Sequence, residues 1–194
     1  MEYTTLSNGV QMPLEGFGVF QIHDLDECER VVLDAIDTGY RMIDTAASYG
    51  NETAVGKAIA KTGVNRADLF IATKLWVTDA SYEGAKAAIR RSMDNLGVDY
   101  IDLYLIHQAM GDYIGAWRAI TEAYKEGKIR AIGVCNFYPH RLADFCETVD
   151  QLPMVNQVEL HPFFQQENAL SLMREYGVQP EAWAPFAEGR HSIF

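Results

Sequence analysis

The sequence predicts an α/β protein whose strands form a parallel β-sheet. Short apolar segments alternate with amphipathic segments along the chain, at a repeat of about 30 residues with short loops between them. The segment 100–107 has almost no polar alternation, which is typical of a strand buried on both faces. Ionisable residues follow directly after several of these strands, and the catalytic face of a (β/α)8 barrel lies at the carboxyl ends of its strands. We therefore predict a (β/α)8 TIM barrel.

The elements follow in order from these patterns. Ser7-Asn8-Gly9 between two short extended runs, 3–6 and 11–13, predicts an N-terminal β-hairpin. Seven barrel strands are predicted at 16–20, 41–44, 69–74, 100–107, 129–135, 154–159 and 178–183. Helices with an apolar stripe of i, i+3, i+4 spacing are predicted at 24–39, 51–61, 81–96, 113–125, 139–149 and 167–176. Asn51 is the expected N-cap of the second helix.

The pattern predicts a single barrel domain over residues 1–194 that is incomplete at its C-terminal end. An eighth strand and the last helices have no counterpart before Phe194, and such barrels usually have about 250 residues. The two unpaired edge strands would invite pairing with other chains. We expect a monomer for a complete barrel, and self-association or poor solubility for these 194 residues alone.

Composition narrows the possible partners. The chain has 27 acidic and 16 basic residues, a net charge of −11, which argues against nucleic acid and anionic membranes as partners. Three cysteines without a CxxC pair predict neither a disulfide framework nor a zinc site, and we expect no bound metal. The sequence shows no signal-peptide pattern and no apolar run of about 18 residues, so a cytoplasmic location is expected.

Four residues of different chemistry follow the predicted strands. Asp44, Lys74 and His107 each end a strand, and Tyr49 lies in the loop after Asp44. Each of them alone has an ordinary explanation: a loop cap, a solvated charge, a hydrogen-bonded core histidine or a boundary tyrosine. Together, at one end of one barrel, an acid, a phenol, an amine and an imidazole indicate a buried proton-transfer site.

Seven motifs in order resemble the aldo-keto reductase family, and its bacterial diketogluconate-reductase-like members in particular. They cover about Leu6 to Phe186 and read GFGVF, IDTAASYGNE, TKLW, LYLIHQ, IGVCNF, NQVELHP and AWAPF. The resemblance implies an oxidoreductase that reduces aldehydes or ketones to alcohols by hydride transfer from NADPH.

The family's catalytic tetrad carries over to Asp44, Tyr49, Lys74 and His107. The resemblance gives Tyr49 the role of general acid, which protonates the developing alkoxide. A tyrosine with its ordinary pKa of about 10 is a weak acid at neutral pH, and an ammonium beside it lowers that pKa. We expect Lys74 to supply this charge, Asp44 to hold Lys74, and His107 to orient the carbonyl oxygen.

The resemblance also implies a cofactor site and a substrate pocket. Asn136 and Gln157 match the residues that bind the nicotinamide carboxamide, with Cys135 in place of the usual serine. Trp183 stands where a tyrosine usually stacks on the nicotinamide ring. The walls of the substrate pocket match Phe20 and Trp76. No segment matches the family's grip on the cofactor 2′-phosphate, so NADPH rather than NADH follows from the resemblance alone.

Two alternatives stay open at this stage. The chain could be a redox-inert nucleotide-binding or interaction module on the same fold, or an inactive fragment. The resemblance implies a small carbonyl compound as substrate, and the sequence does not specify which one.

Overall fold

The computed structural model describes residues 1–192 of the chain, with the side chains of residues 1–189. The strands are β1 Tyr3–Thr5, β2 Gln11–Pro13, β3 Gly16–Gly18, β4 Met42–Asp44, β5 Phe70–Leu75, β6 Ile101–Ile106, β7 Ile129–Cys135, β8 Val155–Glu159 and β9 Gln179–Trp183. The α-helices are α1 Leu25–Asp37, α2 Glu52–Lys61, α3 Tyr82–Leu96, α4 Tyr113–Lys125, α5 Pro139–Thr148 and α6 Glu167–Tyr176. The predicted hairpin, strands and helices are all confirmed within a few residues.

The seven strands β3 to β9 form one parallel sheet in the order of the sequence. An α-helix joins each strand to the next, as the parallel arrangement requires. The predicted fold class is therefore confirmed as an incomplete (β/α)8 arrangement with seven strands in the described residues. The hairpin β1–β2 forms a separate antiparallel pair.

The sheet curls into a barrel wall. Strands β4 and β8 are separated by three intervening strands, so in a flat sheet they would lie about 19 Å apart. Nevertheless the Gln157 side chain on β8 donates a hydrogen bond to the Asp44 carboxylate on β4, at 3.1 Å. The interior is tightly filled at Gly133 on β7, where a Cβ atom would lie 2.4 Å from the Val155 carbonyl oxygen and 2.7 Å from Cδ2 of Leu105. This glycine allows three neighbouring strands to pack closely inside the barrel.

The helices cover the outside of the sheet with their apolar faces, and several have side-chain caps. Asp24 accepts from the backbone N–H of Glu27 at the start of α1. Ser81 accepts from Gly84 N–H in the same way at the start of α3. Within the described residues no helix combines the length and the apolar character that crossing a membrane requires.

Asn51 occupies the predicted N-cap position of α2, but the expected capping by its side chain is wrong. Its side chain makes no capping bond to α2. It is 1% exposed, accepts from the Thr45 hydroxyl at 2.8 Å, and donates to the backbone carbonyls of Val19 and Ile22. A buried amide gains more from satisfying these inner groups than from a cap at the surface. Asn51 thereby ties the loop after β3 to the loop after β4, which carries Tyr49.

Candidate active site

The four residues of the predicted tetrad come together at the carboxyl ends of β4 to β6. Asp44 is the last residue of β4, Lys74 lies near the end of β5, and His107 directly follows β6. Tyr49 ends a short 3₁₀ turn, Ala47–Tyr49, in the loop after β4. Parallel strands present their carboxyl ends at one rim, which brings residues distant in sequence to one place.

Lys74 is the buried centre of this group. Its side chain is 0% exposed, and Nζ donates to Oδ1 of Asp44 at 2.5 Å and to the Thr45 carbonyl at 2.9 Å. Nζ also donates to the Tyr49 hydroxyl oxygen at 3.5 Å. Burial is the largest single effect and would lower the pKa of Lys74. The charge and the hydrogen bond of Asp44, together with Tyr49 and Cys135, outweigh it, so the pKa is raised above its ordinary value. Lys74 therefore stays a cation at neutral pH.

Tyr49 is half-buried beside this cation. Its burial raises the pKa of the hydroxyl, Lys74 lowers it, and burial is the larger effect, so the pKa lies above its ordinary value. The Lys74 charge lowers the pKa of Tyr49, as expected. The expectation of a pKa below the ordinary value is wrong, because burial has the larger effect. Because the hydroxyl oxygen accepts from Lys74, its own hydrogen remains available to a third group.

His107 is a neutral imidazole in this site at neutral pH. Burial, followed by the repulsion from Lys74, lowers the pKa of His107 to about 4. Nδ1 lies 3.4 Å from the hydroxyl oxygen of Ser48. With Ser48 donating to Nδ1, the ring proton is on Nε2, which can then donate a hydrogen bond.

Aromatic rings form a continuous rim around the tetrad. Phe20 contacts Tyr49 with ring centroids 4.9 Å apart, Tyr49 meets His107 edge-on at 5.7 Å, and Trp76 meets His107 at 5.1 Å. Phe20 is 58% exposed, so this rim opens to solvent. The structure thus brings both predicted pocket residues, Phe20 and Trp76, next to the predicted catalytic residues.

The predicted cofactor residues are joined to one another by hydrogen bonds, from the ends of β7 and β9 and from the middle of β8. The Asn136 amide donates to the His107 carbonyl at 3.1 Å and accepts from Nε1 of Trp183 at 2.9 Å. Asn136 adopts a left-handed backbone with φ +62°, a conformation that suits asparagine better than most residues. The thiol of Cys135 is buried, which raises its pKa strongly, and it donates to Oε1 of Gln157 at 3.7 Å.

Glu181 was not among the residues predicted from the sequence. It lies on β9 opposite Gln157, and Oε1 accepts from Nε2 of Gln157 at 2.8 Å. Nε2 of Gln157 also donates to Asp44, so Gln157 links the tetrad to Glu181. Glu181 could have been found from its position two residues before Trp183. Residues at a spacing of two share one face of a strand, so an inward-facing Trp183 predicts an inward-facing Glu181.

These residue types fit a nicotinamide. Two side-chain amides can pair with a carboxamide, which has both donors and acceptors, and the half-buried indole of Trp183 offers a flat apolar face. In the described part of the chain, no group of three or more His, Cys, Asp or Glu side chains could hold a metal ion.

Comparison with known proteins identifies the family. The sequence profile of the Aldo/keto reductase family matches residues 16–192. The chain belongs to the aldo/keto reductase family. The sequence resemblance to the aldo/keto reductase family is thereby confirmed.

Relatives of this aldo/keto reductase span the same region. The uncharacterized oxidoreductase YtbE of Bacillus subtilis (strain 168) is 48% identical over 191 residues, which are 96% of this chain and 68% of the relative. Glyoxal reductase of the same organism is 47% identical over 186 residues, 95% of this chain and 67% of the relative. The chain thus spans about two thirds of the length of these curated relatives.

Solved structures agree with this assignment. A crystal structure of an aldo/keto reductase from Brucella melitensis superposes with a TM-score of 0.93 at 41% identity, covering 96% of this chain and 73% of the other. A Bombyx mori aldo-keto reductase in complex with NADP superposes with a TM-score of 0.89 at 32% identity, covering 95% of this chain and 66% of the other.

Proposed function

We propose that this aldo/keto reductase reduces aldehydes or ketones to alcohols with NADPH, and that Tyr49 is the general acid. The observation that carries the proposal is the placement of Lys74, which is 0% exposed and donates to both Asp44 and the Tyr49 hydroxyl oxygen. A buried ammonium beside a phenol stabilises the phenolate that remains after the proton has left. This arrangement serves a reaction in which Tyr49 gives up its proton.

NADPH is proposed as the reductant for two reasons. A relative of the same fold has been solved in complex with NADP. In addition, Asn136, Gln157 and Trp183 together offer the amide groups and the flat ring that a nicotinamide requires. When bound, the dinucleotide supplies the hydride.

The residues of the chain control the oxygen of the substrate. Nε2–H of His107 donates to the carbonyl oxygen and orients it. As the carbonyl carbon accepts the hydride, the C=O π bond breaks and its electron pair goes to oxygen. That oxygen takes the proton of Tyr49, and the tyrosinate, stabilised by Lys74, later recovers a proton from water.

The substrate is a small carbonyl compound that fits an aromatic rim. Phe20 and Trp76 flank Tyr49 and His107 and present flat apolar surfaces. A relative with 47% identity is named glyoxal reductase, so glyoxal is the first substrate to test, followed by larger aldehydes and ketones.

The test is Tyr49→Phe, which removes the acid and keeps the ring. We expect turnover of NADPH with glyoxal or another carbonyl substrate to fall by about a hundredfold or more. Binding of NADPH, followed by quenching of tryptophan fluorescence, should remain within about twofold because the hydroxyl is not needed to hold the dinucleotide. The matched control is Tyr3→Phe in the hairpin, where Tyr3 is 49% exposed and turnover should be unchanged.

Near-parental turnover in Tyr49→Phe would refute Tyr49 as the acid. A parent chain that binds NADPH and reduces none of the carbonyl compounds would favour the redox-inert alternative.

A further inference from the structure

Glu181 is an acid inside the barrel that the proposed reaction does not use. It lies in the middle of β9, in register with Gln157 on β8, and its side chain is on the inner face. The residue is partly exposed along the edge of the sheet, but its Oε2 is buried and has no hydrogen-bond partner among the described residues. A buried carboxylate oxygen without a partner is costly, so its presence requires an explanation.

The Gln157 side chain, 4% exposed, is held between two acids. Nε2 donates one hydrogen to Oδ2 of Asp44 at 3.1 Å and the other to Oε1 of Glu181 at 2.8 Å. An amide NH2 has two hydrogens, so both are used. The amide oxygen, which accepts from the Cys135 thiol, keeps a free lone pair.

This arrangement allows one orientation of the amide. If it turned over, Oε1 would face the oxygens of Asp44 and Glu181, and acceptor would meet acceptor at hydrogen-bond distance. With Glu181 removed, only Oδ2 of Asp44 would oppose the turn, since the other oxygen, Oδ1, is bound to Lys74. Glu181 therefore supplies one of the two acceptors that fix which end of the Gln157 amide is free.

The protonation state of Glu181 does not undo this role. The titratable groups that face it are Asp44 from β4, Lys74 from β5 and Cys135 from β7. Burial, followed by the Asp44 charge, raises the pKa of Glu181 to about 7. Either form accepts from Gln157, the ionised one through a carboxylate oxygen and the neutral one through its carbonyl oxygen.

We propose that Glu181 is a positioning residue that fixes the Gln157 amide so that its oxygen, and not its NH2 group, is left to bind the nicotinamide carboxamide. The inference rests on the proposed use of a nicotinamide cofactor. The Gln157 oxygen would accept a hydrogen bond from the NH2 group of the nicotinamide carboxamide. A reversed Gln157 amide would instead place its own NH2 group against that NH2 group, and two donors cannot pair.

Three variants test the proposal by NADPH binding, followed by tryptophan quenching. Glu181→Met removes the acceptor and keeps the volume, and the Kd for NADPH should rise by about tenfold. Glu181→Gln can still accept through its amide oxygen, and its Kd should stay within about twofold of the parent. Glu175→Gln removes a charge from the exposed face of α6 and should leave the Kd unchanged.

A second readout uses the protein without cofactor. The side-chain NH2 signals of Gln157, assigned by their loss in Gln157→Met, should both lie downfield and exchange slowly in the parent. In Glu181→Met one of them should move towards the position of a free amide, and in Glu181→Gln neither should.

The proposal is overturned if the NADPH affinity of Glu181→Met equals that of the parent, or if Glu181→Gln loses as much NADPH affinity as Glu181→Met. It is also overturned if the Gln157 side-chain signals have the same positions in Glu181→Met as in the parent. A parent chain that binds no NADPH contradicts the proposed function instead, and the Gln157 signals then still decide the role of Glu181.

Discussion

Replacing Asp44 by Asn isolates the charge that keeps Lys74 protonated. Lys74 is 0% exposed, and its Nζ donates to Asp44 at 2.5 Å. An Asn side chain has the same shape and can still accept this hydrogen bond, while its NH2 group takes the place of Oδ2 and faces the Gln157 NH2 group. The change removes the charge and the bond to Gln157 with little change of volume. The Thr45 carbonyl, at 2.9 Å, would be left as the other acceptor of the buried ammonium.

The loss should be large and should depend on pH. Leaving a buried charge without its partner costs about 3 kcal/mol or more of the free energy of unfolding. In the parent the pKa of Lys74 is raised, so its contribution to stability is fully present below its unfolded pKa of about 10.4 and does not change between about pH 7 and pH 9.5. In Asp44→Asn burial dominates and the native pKa falls below the unfolded value.

The unfolded variant then binds more protons than the native variant above that lowered pKa. Its stability should therefore rise with pH, by at most about 1.4 kcal/mol per pH unit, while the parent gains nothing from Lys74. Urea unfolding at about pH 7 and about pH 9.5 measures the difference between variant and parent. The double variant Asp44→Asn with Lys74→Met should lose the extra pH dependence.

The matched control is Asp34→Asn, which breaks an exposed pair. Arg30 and Asp34 lie 2.8 Å apart, with side chains 62% and 63% exposed, so the loss should be about 0.5 kcal/mol or less. A loss in Asp44→Asn as small as in this control, or no pH dependence beyond that of the parent, would refute the reasoning about Lys74.

Two further changes probe the same barrel. Burial lowers the pKa of His107 to about 4 in the native protein. Between about pH 6.5 and pH 4 the imidazole therefore binds a proton in the unfolded chain and not in the native protein, so the parent should lose stability as the pH falls through this range. His107→Asn should lose less between about pH 7 and pH 5 in urea unfolding, and equal losses would contradict the shift. Gly133→Ala places a Cβ atom 2.4 Å from the Val155 carbonyl oxygen and should cost about 1–3 kcal/mol or more. Gly63→Ala, where a Cβ atom meets nothing within 4 Å, should be neutral or slightly stabilising, and thermal unfolding of both glycine variants measures the difference.

The strands and helices could be predicted because their signals are local. The bounds of β7, Ile129–Cys135, match the prediction to the residue, because a mostly apolar segment, interrupted only by Arg130, lies between a glycine turn and a loop. The clustering of Asp44, Lys74 and His107 was also predictable, since a parallel barrel brings the residues that follow its strands to one rim.

Features that depend on competing neighbours could not be predicted. Asn51 precedes a helix and has the residue type of a cap, but the buried groups around it decided its partners. The net pKa shift of Tyr49 depends on how much its burial outweighs Lys74, and neither quantity can be obtained from the sequence. Glu181 is joined to the site by its hydrogen bond with Gln157, which lies 24 residues away in sequence.

The N-terminal hairpin has a consequence for the order in which the chain folds. The Thr4 hydroxyl donates to the Gln179 side chain across 175 residues, and the Asn8 amide donates to the Arg130 carbonyl across 122 residues. Contacts of such separation form only after long loops have closed, so they are slow to form. The hairpin can pair locally at an early stage, but it can dock only once β7 and β9 are in place. We therefore expect the amides of β1 and β2 to become protected from exchange late in refolding. The onset of this protection would report when β9 has paired with the sheet.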